Sequence, residues 1–265
     1  AVAAMNGMPA PSMMTSVPAI GMPASGAAGV SAQPSGNAQG GGGATGGQAA
    51  VPITGAPMYK SLKPLPTVRQ EHAVTVLGGK IYAIGGFLAT RDATNTAVAY
   101  DPVADGWASI ANLPTAAQHV NAAAVDGKIY VAGFFTGAAR DVDGRGFVYD
   151  PEGDSWSPIA SQPAGSERAT SCVVAYQSKL YLFGGGIGPG YNSLATALVY
   201  DVAKDAWSEI RAMSIPREHC AAVVIGDTIY IGGGRNGGIE SPVAVTLAYD
   251  PVSDSYEEKA PIPTP

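Results

Sequence analysis

One pattern recurs four times in this chain, and it restricts the fold more than any other feature. An apolar residue precedes a Tyr at Ile81-Tyr82, Ile129-Tyr130, Leu180-Tyr181 and Ile229-Tyr230. Glycine follows, as the doublet Gly85-Gly86, the single Gly133, and the runs from which Gly184-Gly185 and Gly232-Gly233 are taken as doublets. A second tyrosine comes next at Tyr100, Tyr149, Tyr200 and Tyr249, each followed by Asp and, seven residues on, by Trp107, Trp156, Trp207 or Tyr256. The second tyrosines are 49, 51 and 49 residues apart. A fixed period of this length marks one supersecondary unit repeated along the chain. Between the markers lie short runs rich in Val, Ile and Tyr, broken by Gly, Asp and Pro turns, which read as strands. No window sustains a helical period.

These residues resemble the kelch repeat, whose signature is an apolar run, a Gly-Gly doublet, and a Tyr and a Trp at fixed spacing. The resemblance implies an all-β propeller of four-stranded antiparallel blades, with strands a to d running outward from a central channel. The blades are expected at about 67–114, 115–163, 164–215 and 216–265. In this reading the glycines permit close backbone approach and the rings wedge between blades, so all of them carry stability. Residues 59–66 look like a further strand d without its own a, b and c. That orphan leaves one sheet edge without its complement, a hazard that proteins normally cover. Three arrangements answer it: a fragment of a propeller with five or six blades, an edge covered by a neighbouring subunit, or closure as four blades with the orphan strand peeled away.

The first charged residue is Lys60. The preceding Gly, Ala, Pro, Ser and Met stretch has too few large apolar residues to offset its ordering entropy. Residues 1–57 therefore read as an uncharged arm or linker, and 58–265 as the propeller. The arm holds Met5, Met8, Met13, Met14 and Met22, with Met58 at its boundary, so docking of the arm on a neighbouring subunit is the alternative to a bland linker. A net charge of −6 excludes the basic footprint of a duplex nucleic-acid binder. No apolar run is long enough to span a membrane. Cys172 and Cys220 form no framework and no metal spacing. They fall in consecutive repeats one residue out of register, so buried free thiols are expected, with a disulfide as the alternative.

Strand order puts the d–a and b–c loops on one face and the a–b and c–d loops on the other. Seven of the eight arginines fall on the first face: Arg69, Arg168 and Arg217 near d–a, and Arg91, Arg140, Arg145 and Arg235 in b–c. Seven acidic residues balance them there, whereas the opposite face is acidic. The Arg face also carries the longest loops, where binding is usually placed. Its candidate binding residues are these seven arginines together with His72, His219, Tyr191 and Asn236. The bland alternative pairs Arg69 and Arg217 with their neighbours Glu71 and Glu218. His72, His119 and His219 surround the channel mouth, but His72 stands nine residues before Ile81 whereas the others stand ten before Ile129 and Ile229. Strand alternation aims His72 elsewhere, so no metal is expected. The Asp-rich c–d turns read as Asx-type turn builders rather than calcium sites. No cofactor is expected.

The sequence thus predicts a non-enzymatic recognition or structural module that binds a protein or glycan through the d–a and b–c face, in an extracellular or cell-surface setting. A neighbouring subunit at the open blade edge or the arm is a further expected partner. The alternative is a sugar-modifying enzyme of this fold, similar to the sialic-acid epimerases, using Glu71, Glu167, Glu218 or His219 as acid and base; a cytoplasmic setting is the alternative location.

Overall fold

A computed structural model describes residues 60–264 apart from 138, 139, 189 and 191. The expected arm, residues 1–57, and Tyr191 lie outside the described residues. Contacts set Met58–Pro265 apart as one compact unit.

The repeat builds four antiparallel sheets, each with the order a-b-c-d. Blade one is Ala73–Leu77, Lys80–Ile84, Ala97–Asp101 and Gly106–Ile110; blade two is Ala122–Val125, Lys128–Thr136, Asp141–Asp150 and Ser155–Ile159. Blade three is Cys172–Tyr176, Lys179–Phe183, Ala197–Asp201 and Ala206–Ile210; blade four is Ala221–Ile225, Thr228–Gly232, Thr246–Asp250 and Ser255–Lys259. No helix among the described residues is long and apolar enough to cross a membrane. Blades two and three are apolar on both faces because each face meets another blade. Tyr82 and Ile84 of blade one pack against Ile129, Val131 and Tyr149 of blade two. On its other face blade two presents Tyr130 and Ala132 to Leu180 and Tyr200 of blade three. Blade three then presents Tyr181 and Phe183 to Ile231 and Tyr249 of blade four.

The second Tyr and the Trp of the repeat form one clamp with the aspartate five residues after that Tyr. In blade two, the Tyr149 hydroxyl donates to Asp154 at 2.8 Å, and Asp154 also accepts the amide of Ala111, just past strand d of blade one, at 2.7 Å. The Trp156 indole donates to the carbonyl of the same Ala111 at 2.8 Å. Trp107 makes this bond to Lys63, Trp207 to Ala160, and the Tyr256 hydroxyl to Arg211. Residues around Lys63 therefore occupy the place of an outer strand before blade one. They are not paired as a strand, because no strand c lies beside them.

The inner strands of blades one and two, two and three, and three and four lie side by side, but no comparable packing joins Ala221–Ile225 to Ala73–Leu77. Val74 and Val76 on blade one, and Val223 and Ile225 on blade four, are consequently exposed. Of the arrangements expected, closure as four blades is not the one found.

Two expectations need correction. Cys172 and Cys220 are joined by a disulfide, with Cα atoms 5.0 Å apart. The alternation argument against pairing holds within one sheet, whereas these residues belong to two sheets whose inner ends converge. The glycine doublet of blade four is Gly233-Gly234. Both have positive φ, as Gly184 and Gly185 do, whereas Gly232 is an ordinary residue of strand b. The need for glycine is steric: a Cβ on Gly185 would lie 2.5 Å from Ser171 Oγ and 2.6 Å from the Ala169 carbonyl.

Candidate functional site at the channel mouth

The residue that precedes the start of each blade's inner strand region turns toward the channel in a left-handed conformation. These residues are Glu71, His119, Thr170 and His219, with φ of 55°, 53°, 59° and 53°. Each stands ten residues before its Ile or Leu of the apolar-Tyr pair. A side chain other than glycine costs about 1–2 kcal/mol in this region, and here four consecutive blades bear that cost at the same position. The preceding residues pair antiparallel with the start of each b–c loop: Gln70 with Phe87, Gln118 with Phe135, Ala169 with Gly186, and Glu218 with Arg235. Two concentric rings of four residues result, one at the mouth and one around it.

The mouth is a cavity of ≈230 Å³, lined by the four turn residues together with His72 and Asn121 among others. Below it a second cavity of ≈310 Å³ lies between the four inner strands, touched by Val74, Ala122, Val173 and Ala222. His119 sits edge-on between Phe87 and Phe135, and its ring centroid is 5.1 Å from that of His219. The Nε2 atoms of His119 and His219 lie 3.7 Å and 3.8 Å from the same Glu71 oxygen, Oε2. On the other side of each ring, Nδ1 of His119 bonds to Gln118 Oε1, and Nδ1 of His219 bonds to Glu218 Oε2. Glu218 is wholly buried and accepts from Arg235 Nε through its second oxygen. Arg235 Nη2 lies 3.2 Å and 3.4 Å from the two ring nitrogens of His219. Near-equal distances to both nitrogens place it over the ring face.

Burial sets the protonation of this cluster. Loss of hydration pulls His119 down to about 3, aided by His219, Arg140 and Arg235. Loss of hydration also pulls His219 down to about 4, aided by Arg235 and Arg140. Both imidazoles are neutral at pH 7, so each Nδ1 that meets an acceptor oxygen carries the proton, and each Nε2 presents its lone pair to the channel.

The structure redistributes the expected arginines. Arg168 and Arg217 are 1% and 0% exposed. Arg168 donates to the carbonyls of Gly184 and Thr196, and Arg217 to those of Gly233 and Val245. Arg69 likewise reaches the carbonyls of Gly85 and Thr96. These three tie the end of strand b to the start of strand c within a blade, and they do not pair with Glu71 or Glu218 as the bland alternative had it. Burial lowers Arg168 to about 10. Blade two has Ala117 at this place and a longer b–c hairpin instead. Arg145 is held by Asp143. Arg91 and Asn236 are exposed, Arg140 is half-buried, and Arg235 belongs to the mouth. His72 points its buried Nδ1 at no hydrogen-bond partner among the described residues. A second hollow, of ≈360 Å³, lies beside Arg69, Gln70, Phe87, Leu88 and Arg91 on the same face.

Glu71, His119, Thr170 and Glu218 were absent from the expected binding set. The signal was present: counting back ten residues from each apolar-Tyr pair finds all four members of the mouth ring. Searching for histidines alone hides Glu71 and Thr170.

Compared with known proteins, residues 72–264 match the family model of the KLHDC2/KLHL20/DRC7 Kelch-repeats domain. Kelch-like protein 23 of Homo sapiens is 29% identical over 201 residues, covering 76% of this chain and 34% of that protein. Kelch-like protein terF of Aspergillus terreus is 29% identical over 227 residues, covering 78% of this chain and 50% of that protein. Kelch-like protein 36 of Bos taurus is 31% identical over 213 residues, covering 75% and 33%. The chain thus spans between a third and a half of the length of these relatives. Among solved structures, that of YjhT superposes with a TM-score of 0.67 at 16% identity, over 76% of this chain and 74% of that one; the likeness is one of fold.

Proposed function

This chain belongs to the kelch-repeat family, and we propose that it is a recognition module that holds a protein or glycan partner at the channel-mouth face. One observation carries the reading. At the ring position paired with the b–c loop, the first three blades use Gln70, Gln118 and Ala169, and the loop residues opposite are Phe87, Phe135 and Gly186. The repeat therefore folds with neutral residues at both places. Blade four alone places a buried carboxylate, Glu218, against Arg235 and His219. Burying charges is expensive unless they are paired, and such a set is weak as a source of stability. The fold does not require it; a ligand at the mouth gives it a purpose.

The chemistry offered is a guanidinium, a carboxylate and imidazoles beside the Phe87 and Phe135 rings. That suits a carboxylate-bearing peptide or a glycan, which present acceptors, hydroxyls and one flat apolar face. The opposite face is built differently. There Lys80, Lys128 and Lys204 pair with Asp101, Asp150 and Asp201, each within its own blade. An oxidising, extracellular or cell-surface setting fits the Cys172–Cys220 disulfide. The exposed faces of blades one and four are the surfaces on which a neighbouring subunit or blade would pack.

The test is binding of the full chain to arrays of acidic peptides and of glycans. Arg235→Ala made together with Glu218→Gln, so that no buried carboxylate is left without its partner, should lose the retained probes while melting within a few degrees of the parent. Unchanged binding by this double variant would place the partner elsewhere. The enzyme alternative draws on the convergence of Glu71 with two imidazoles; Glu71→Gln abolishing turnover of a screened sugar would move the reading to that class.

A further inference from the structure

We propose that Glu71, His119 and His219 bind one divalent transition-metal ion, of which Zn(II) is the representative, through the Glu71 carboxylate and the Nε2 atoms of both histidines. The three ligand atoms lie within 4.8 Å of one another, and the two nitrogens are 3.7 Å and 3.8 Å from the Glu71 oxygen. A tetrahedral zinc with bonds of about 2.0–2.1 Å holds its ligand atoms about 3.4 Å apart. For the carboxylate and either imidazole this asks a movement of a few tenths of an ångström. Two histidines and one carboxylate with an open position is also a donor set that zinc and ferrous iron share, whereas magnesium and calcium prefer oxygen alone.

The surroundings are those of a metal site. A metal-bound histidine characteristically donates its other ring N–H to a carboxylate or carbonyl oxygen, which fixes the tautomer and orients the ring. Both rings do so here. His119 is held by Gln118 Oε1 and His219 by the wholly buried carboxylate of Glu218. Glu218 is in turn fixed by Arg235, whose guanidinium lies over the His219 ring. Arg140 is the other cation near the histidines, and Glu71 and Glu218 together offset the charge of the two arginines. The fourth member of the mouth ring supplies an independent sign of a missing ligand. Thr170 is 4% exposed and lines the same cavity, yet its hydroxyl has no hydrogen-bond partner among the described residues. Glu71 is partly exposed, which leaves a path for the ion from solvent.

The metal inference stands apart from recognition, since an ion can bind with no partner present. Its test uses the full 265-residue chain, free of any affinity tag and stripped with chelator. The stripped chain is titrated calorimetrically with Zn(II) and optically with Co(II), and with Mg(II) as the comparison. One Zn(II) per chain is expected, with Co(II) giving the intense visible absorption of a low-coordinate N/O site, and Mg(II) giving no heat. Glu71→Gln, an exposed isosteric change that cannot empty the core, should weaken Zn(II) at least about tenfold. Glu218→Gln should weaken it about 10–100-fold through His219. Lys204→Ala, on the opposite face, should leave it unchanged. Zn(II) binding by Glu71→Gln equal to that of the parent overturns the proposal, as does a stoichiometry well below one for a parent chain that circular dichroism shows to be folded.

Discussion

The Ala111 amide donates to the Asp154 carboxylate at 2.7 Å, and this bond joins the end of one blade to the c–d turn of the next. The same bond is made by Lys63 to Asp105, Ala160 to Asp205 and Arg211 to Asp254. Each aspartate also accepts from a tyrosine of its own blade, so one carboxylate fixes both the turn and the neighbour. The repeated Tyr and Trp letters of the sequence, with the aspartate five residues after each Tyr, are therefore the joints between blades.

These joints make stability sensitive to acid. The Asp105 carboxyl is held below its ordinary range by the Tyr100 hydroxyl and the Lys63 amide. Asp154 and Asp205 are held down first by the Ala111 and Ala160 amides and then by Tyr149 and Tyr200. A folded carboxyl of lowered pKa means that the unfolded chain takes up protons first as pH falls. This contribution is complete above the unfolded value of about 3.9 and is lost as pH drops through the folded values. Urea midpoints measured from pH 6 to pH 2 should fall most steeply below about pH 4, and Asp205→Asn should flatten that fall.

Arg217→Ala should reduce stability by about 2–4 kcal/mol, because it leaves two interior carbonyls without their donor and a cavity beside them. Chemical denaturation reads the loss directly. An unchanged midpoint together with lost probe binding would return Arg217 to the binding surface where its sequence position suggested it belonged.

Removing the disulfide by Cys172→Ala with Cys220→Ala should cost up to about 4 kcal/mol, the loop-entropy value for a separation of 48 residues. Equal urea midpoints for the parent with and without reductant would show that the two inner strands need no covalent link.

Gly185→Ala and Gly188→Ala separate steric from conformational cost. Both residues have positive φ, but only Gly185 has neighbours where a Cβ would go. Gly185→Ala should cost about 3 kcal/mol or more, and Gly188→Ala about 1 kcal/mol. Similar melting temperatures for the two would contradict the close approach of the Gly185 backbone to the Ala169 carbonyl.

Much of this fold was legible because the repeat writes each structural residue four times. Tyr200 and Trp207 can be assigned roles from spacing alone, since chance does not repeat a spacing. The site was less legible for the opposite reason: its residues differ from blade to blade. Glu71, His119, Thr170 and His219 share a position and nothing else, so no residue type reveals the ring. The arginines misled because Arg69, Arg168 and Arg217 do recur, and recurrence within a repeat marks a structural part. The register of Cys172 and Cys220 misled because alternation governs one sheet and these residues lie in two.

A partner held at the proposed channel-mouth site would shield that site from solvent. Hydrogen-exchange mass spectrometry of the full chain, alone and saturated with its best-retained array probe, tests it most directly. New protection is expected in segments 70–72, 118–121, 168–171 and 217–220 and around Arg235, with the c–d turns at 101–106, 150–155 and 201–206 unchanged. Protection confined to those turns would contradict it.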